Sequence, residues 1–264
     1  MTPVGFAATA PFGADVLRRF AAHRPVAFCL TRPDRPAGRG LKLDAPPAKA
    51  TAERLGIPVI QPERLDDGLD LPSAIIVTCA YGAIVPSALL ERHLWLNVHP
   101  SLLPRWRGAA PIERAIMEGD TETGVTIIKL TDELDAGPIA AQEAFAIDSE
   151  DDAGAVYERS AEVAEGLLEA VLESPRFREQ PTTGVTYAEK LTAADRELDL
   201  EGDPEQSLLR IRALSPHIGA RADLHGRRVT VWKASVEAGV LVPEVVQPEG
   251  RTRMTYDEFL RGLR

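Results

Sequence analysis

The chain has 264 residues, 44% hydrophobic and 27% charged, and its 40 acidic against 30 basic side chains give a formal net charge of −10. That length allows one large domain or one large plus one small, and the composition excludes collagen-like, coiled-coil and disulfide-scaffold classes. Taken alone, the acid excess argues against a nucleic-acid partner, because counterion release needs clustered Lys and Arg facing phosphates.

The first apolar run, Val4 to Thr9, ends in small residues and is followed by Pro11 and Gly13, then by helical spacing over Ala14 to Ala22. This reads as strand, turn, helix. The pattern recurs as strand Val26 to Leu30, a long loop, helix Ala48 to Leu55, strand Ile57 to Ile60, strand Ala74 to Thr78, helix Ser87 to Arg92 and strand Leu94 to Val98. Near-continuous apolar strands alternating with helices imply an α/β fold with a doubly wound, mostly parallel sheet. Ligands then bind beyond the carboxyl ends of the strands, in the loops after Leu30, Thr78 and Val98. Cys29 and Cys79, the only cysteines, each lie inside an apolar run and read as small buried hydrophobes rather than zinc ligands or a disulfide.

Further on the texture changes. Gly124 to Leu130 and Ile139 to Ile147 alternate like antiparallel strands, and Asp151 to Glu173 has the spacing of a long helix. Segment 175–205 is polar, carries Pro175, Pro181, Gly184, Gly202 and Pro204, and reads as a linker after a first domain of residues 1–174. The tail, 206–264, offers a helix to Leu214, strands Arg228 to Val236 and Val240 to Val246, and a short helix from Tyr256 to Leu263. Five strands would be cramped there, so a shortened, open domain is expected. No leader-like segment and no run of about 18 apolar residues occurs, which predicts a cytoplasmic protein with no membrane partner.

The chemistry concentrates in Asn97-Val-His-Pro-Ser-Leu-Leu-Pro-Arg-Trp-Arg-Gly-Ala-Ala-Pro-Ile112. Residues two apart on a strand share a face, so Asn97 and His99 project side by side from a strand end. Asp135, in a Leu-Asp-Ala-Gly-Pro turn, can close the group if its hairpin folds over the crevice. An amide donor, an imidazole and a carboxylate suit acyl transfer to an amine: Asn97 and His99 donate to the developing oxyanion, while Asp135 fixes the imidazole tautomer or takes a proton through water. Singly, each of these residues is more often a cap or turn former. Ser101 lacks the strained Gly-x-Ser-x-Gly elbow of a nucleophile, and no Gly-x-Gly-x-x-Gly follows the first strand, which disfavours a dinucleotide oxidoreductase.

The loop at 32–49 carries Arg32, Arg35, Arg39, Lys42 and Lys49 among Pro and Gly residues that forbid a helix, a mobile segment able to track phosphates. Charge divides unevenly: residues 1–140 carry 15 basic and 16 acidic side chains, 141–205 carry 5 and 18, and 206–264 carry 10 and 6. The acid excess therefore sits in the long helix and the segment after it, leaving the loop and tail as basic faces for a polyanion.

The run Asn97 to Pro104 with the later Asp135 resembles the signature of the folate-dependent formyltransferases. Arg105 to Ile112, Gly119-Asp, Thr123-Gly-Val-Thr, Leu134-Asp-Ala-Gly, Arg32 to Leu43, Val77 to Pro86 and Thr186 to Thr192 are similar to the members that act on charged tRNA. The resemblance implies a Rossmann-like domain and a small C-terminal β-barrel of OB type, here reduced. It implies transfer of a formyl group from 10-formyltetrahydrofolate to the amino group of the methionyl moiety of initiator tRNA, in translation initiation, without a metal; separately, a monomer is expected. Asn97, His99 and Asp135 carry over as the catalytic trio, Ser101, Leu102, Leu103, Pro104 and Tyr81 as the folate contacts, and Arg32, Arg35, Arg39 and Lys42 as the tRNA-facing cations. An acceptor such as an amino-sugar nucleotide, or water in a formyl-folate hydrolase, would keep the trio but has no use for a basic arm. Ala8, Ala10 and Glu133 depart from the family's usual Gly, Pro and Gly, so the first turn and the presentation of Asp135 are expected to differ.

Overall fold

The computed structural model describes residues 3–37 and 42–263. The chain forms two compact units, one of residues 1–107, 124–144 and 158–185, the other of 108–123, 145–157 and 186–264. Segments 108–123, 145–157 and 186–205 thus cluster with the tail.

In chain order the elements begin with β1 (Val4–Ala8), α1 (Pro11–Ala21), β2 (Val26–Leu30), β3 (Arg35–Ala37), β4 (Lys42–Asp44), α2 (Pro47–Arg54), β5 (Val59–Ile60) and β6 (Ile75–Cys79). They continue with α3 (Ser87–Arg92), β7 (Leu94–His99), β8 (Arg107–Gly108), α4 (Pro111–Met117), β9 (Glu122–Lys129), β10 (Ile139–Ala146) and α5 (Ala153–Glu173). One sheet runs β10-β9-β7-β6-β1-β2-β5. Its five strands from β7 to β5 are parallel, and β9 joins antiparallel to β7. The chain winds outward one way through β2 and β5 and the other way through β6 and β7. The switch falls between β1 and β6, and the crevice opens beyond their carboxyl ends.

At that switch the amides of Thr9 and Ala10 both donate to the Ala80 carbonyl. Helix α1 starts three residues before the expected Ala14, because Pro11 occupies its first turn with φ already set. A Cβ at Gly13 would sit 2.2 Å from the Cys79 carbonyl oxygen and 2.9 Å from the Ala8 side chain, so only glycine lets α1 pass the sheet there. Both cysteines are buried, and burial pushes their thiols up, that of Cys29 to about 12. Among the described residues no helix is long and apolar enough to cross a membrane.

The long loop after β2 is not wholly irregular. Arg35–Ala37 and Lys42–Asp44 pair as an antiparallel ribbon, a correction to the irregular mobile loop read there, since Pro and Gly exclude a helix but not extended chain. Segment 175–205 is likewise no loose linker. Arg178 exchanges both backbone hydrogen bonds with Ile139, at 2.7 and 2.9 Å. In the second unit the segment continues as β11 (Tyr187–Ala188) and a 3-10 turn (Ala194–Arg196), where Leu198 N donates to the Arg221 carbonyl. Polar composition hid this, because the segment is held by backbone pairing rather than by apolar burial.

The second unit is completed by α6 (Pro204–Leu214), β12 (Ala220–Leu224), β13 (Arg227–Glu237), β14 (Val240–Pro248), β15 (Met254–Thr255) and α7 (Tyr256–Arg261). Asp203 caps α6 by accepting from Glu205 N, and Thr255 with Glu258 forms a capping box on α7. The strands form an antiparallel meander, β12-β13-β14-β15. Its first two hairpins turn on His225-Gly226 and Ala238-Gly239, each pair with positive φ at both residues. Four strands therefore stand where the sequence predicts two. β12 was hidden because its inward residues include Ala220 and Ala222, weak strand formers that reach 0 and 2% exposure by packing with Val229, Val231, Val246 and Phe259. Among the described residues the sheet stays open at β12 and β15, the form the reduced barrel takes.

Candidate active site

β7 ends at the crevice with Asn97 and His99. His99 lies opposite Thr126 of β9, and Asn97 opposite Ile128. Asp135 arrives from the turn between β9 and β10 and meets both. Its Oδ1 accepts from Asn97 Nδ2 at 3.2 Å, and its Oδ2 lies 3.6 Å from His99 Nδ1. The three residues predicted to act together do come together, with His99 4% and Asp135 9% exposed.

The imidazole is held differently from the expectation. His99 Nε2 lies 2.7 Å from the backbone carbonyl of Trp106. A carbonyl only accepts, so Nε2 carries a proton, and the ring turns Nδ1 toward Asp135. The Trp106 carbonyl thus holds the ring through Nε2, with the Asp135 carboxylate on its other side. The separation of 3.6 Å on the other side exceeds a hydrogen bond, so neither Nδ1 nor Oδ2 is committed to the other.

Two of these partners sit on unusual backbone. Trp106 has φ 64 and Asp135 φ 47, both in the left-handed region that favours glycine. Aspartate tolerates it and tryptophan rarely does. Trp106 is 8% exposed, and the Arg105 guanidinium lies over its ring at 4.3 Å. Glu133, despite replacing a customary glycine, is exposed, and its carbonyl accepts from Ala136 N.

The loop Ser101 to Pro104 is anchored from below. Thr126 Oγ1 donates to the Ser101 carbonyl at 2.6 Å and accepts from Leu103 N and from Gln142 Nε2. Gln142 also donates to the Leu103 carbonyl. Ser101 is wholly buried, its hydroxyl donating to the Arg105 carbonyl, and Leu103 packs on Ile128 and Ile139. Leu102 and Pro104 are the half-buried members. Tyr81 is buried among Phe28, Leu30 and Val85, and burial pushes its phenol to about 12.

The cations of the 32–49 segment are not equivalent. Lys49 is paired with Asp34 at 2.7 Å, and Arg32 Nη1 donates to the Gly82 carbonyl at the crevice. Arg35 is exposed on β3. Lys42 lies on β4, but its side chain, like all of Arg39, lies outside the described residues. Sequence reasoning missed Thr126, Gln142, Gln180 and the Trp106 carbonyl. The first two could have been found by pairing β9 with β7 and β10 with β9; the carbonyl has no residue-type signal.

Residues 9–172 match the model of the formyl transferase family. A methionyl-tRNA formyltransferase of Chromobacterium violaceum is 41% identical over 91% of this chain and 83% of its own length. One of Paracoccus denitrificans is 39% identical over 98% and 96%, in an alignment of 287 positions, so that relative carries residues this chain lacks. Among solved structures, the sugar 3N-formyl transferase WlaRD, with dTDP and 5-N-formyl-THF, superposes with a TM-score of 0.70 at 15% identity, over 96% of this chain and 99% of the other. A methionyl-tRNA formyltransferase of Clostridium thermocellum superposes with a TM-score of 0.64 at 15% identity, over 94% and 99%. At these identities the superpositions show the shared fold.

Proposed function

The chain belongs to the formyl transferase family, and from that premise we propose that Asn97, His99 and Asp135 carry a formyl group from 10-formyltetrahydrofolate to the free amino group of the methionyl moiety of initiator methionyl-tRNA, the step that prepares this tRNA for translation initiation. The observation that carries the reading is the carboxylate of Asp135, turned to Asn97 with one oxygen and to His99 Nδ1 with the other.

The attacking amine must be neutral, and esterification of its carboxyl to tRNA lowers its basicity, so little general-base help is needed. As nitrogen bonds to the formyl carbon, charge develops on the formyl oxygen. Asn97 Nδ2 has a second N–H to donate there. His99 turns Nδ1 to the same region beside Asp135, and a ring that carries a proton there donates to that oxygen with the carboxylate at its side. Asp135, or a water it holds, receives the proton that the amine sheds. That same proton passes from Asp135, directly or through water, to the folate nitrogen as its C–N bond to the formyl carbon breaks, and no serine or cysteine ester intervenes.

Ser101, Leu102, Leu103, Pro104 and Tyr81 hold the folate; of these Leu102 and Pro104 are half-buried and the other three buried. Arg32, Arg35, Arg39 and Lys42 face the acceptor end of the tRNA, and the tail adds a second, smaller contact. The first unit, which holds Asn97, His99 and Asp135, carries the chemistry, and the second, which holds 206–264, helps hold tRNA. The enzyme works as a cytoplasmic monomer.

The acceptor decides between this reading and transfer to an amino-sugar nucleotide. With 10-formyltetrahydrofolate as donor, charged initiator tRNA is expected to be formylated, while free methionine and an amino-sugar nucleotide are not. Efficient formylation of the sugar would overturn the reading.

A further inference from the structure

Gln180 lies outside the signature motifs, yet its side chain spans the two loops that set the site. Its Nε2 donates to the carbonyls of Asp135 and Gly137, at 2.7 and 2.8 Å. Its Oε1 accepts from Arg107 Nη2 and Nε, at 2.7 and 3.2 Å. The amide has only one possible orientation, because the carbonyls can only accept and the guanidinium can only donate. All of its hydrogen-bonding capacity is spent. On one side it holds the residue after Trp106, whose carbonyl binds His99; on the other it holds the peptide leaving Asp135, whose carboxylate faces His99. Both neighbours sit at positive φ, a conformation that persists only where surrounding contacts over-determine it.

The rest of the arrangement has no slack. A Cβ at Gly137 would lie 1.8 Å from the Lys129 carbonyl oxygen, so the turn is pressed against β9. Arg178, two residues before Gln180, is paired through its backbone with Ile139. We infer that Gln180, braced by Arg107, is a positioning residue: it sets the direction of the Asp135 carboxylate against His99 Nδ1 without touching substrate. This rests on the reading of Asn97, His99 and Asp135 as the reacting group.

The test uses the full-length enzyme with charged initiator tRNA. Gln180→Glu keeps the shape and the Arg107 contact but turns an acceptor toward two carbonyls, and Gln180→Ala removes both contacts. Each is expected to lower kcat about 10- to 100-fold, the cost of a small misplacement of reacting groups, with KM for donor and tRNA within about two-fold of wild type and the thermal midpoint of Gln180→Glu little changed. In an Asp135→Asn background the same changes should cost less than about two-fold more, because they act through Asp135. A strongly impaired but measurable Asp135→Asn enzyme combined with a fully active Gln180→Glu enzyme, or with additive losses, would overturn the inference. Near wild-type activity of Asp135→Asn would instead overturn the reading of the site itself.

Discussion

His99 illustrates how far a side chain's type can be read and where reading stops. Its place beside Asn97 followed from two-residue alternation at the end of an apolar strand, and the partnership with Asp135 from a turn sequence and the family resemblance. The atom that its Nε2 meets is a backbone carbonyl, which every residue possesses, so nothing in the residue type of Trp106 announces it. The same holds for Thr126, an ordinary strand threonine until the register places it under the Ser101 to Leu103 loop. Its buried hydroxyl serves three partners at once. Thr126→Val keeps the volume and strands the Leu103 amide and the Ser101 carbonyl, which costs about 1–3 kcal/mol for each polar group left unpaired. The expected outcome is a lower thermal midpoint and a KM for the formyl donor raised more than kcat is lowered; an unchanged donor KM would show that the loop does not depend on this anchor.

At the scale of elements, long apolar strands and helices were legible because burial on both faces leaves a continuous apolar signature, as in β1. Elements built from small or polar residues were not: β12 uses alanines, and α4 begins in the last two residues of the motif run, Pro111 and Ile112, which read as signature. α4 also carries a buried carboxyl. Glu113 accepts from the Tyr157 hydroxyl at 3.1 Å, and burial raises its pKa against the opposing pull of its own backbone N–H, Tyr157 and Arg114. A raised carboxyl binds its proton more tightly in the folded chain than in the unfolded one. Glu113 therefore subtracts stability as pH climbs above the unfolded value of about 4.3, and has no such effect below it. Glu113→Gln should raise the thermal midpoint at pH 7 and leave it unchanged near pH 4. A midpoint lowered equally at both pH values would show that the carboxylate is a net support of the fold.

For the whole molecule, the net charge of −10 is an average over unlike regions. The stretch 141–205 holds 18 acidic against 5 basic side chains, whereas 206–264 holds 10 basic against 6 acidic. A polyanion is thus steered to particular faces and repelled from α5. The structure refines which cations count, since Lys49 is spent on Asp34 while Arg35 is exposed. Affinity for tRNA is expected to fall as salt rises. Arg35→Glu should weaken it several-fold more than Lys49→Gln, as measured by filter binding at fixed salt, and equal losses would show that the exposed ribbon has no special role. What the sequence could not convey is the open meander of the tail, because hairpin turns such as His225-Gly226 declare themselves only once both flanking strands are recognised.

All of this depends on one chemical assignment. The most direct test is the single-turnover rate of formyl transfer to charged initiator tRNA by the His99→Ala enzyme, with tRNA affinity measured in parallel. Loss of a proton-handling donor at the reacting oxygen predicts a rate about 10²- to 10⁴-fold below wild type with affinity preserved; a rate near wild type would contradict the account.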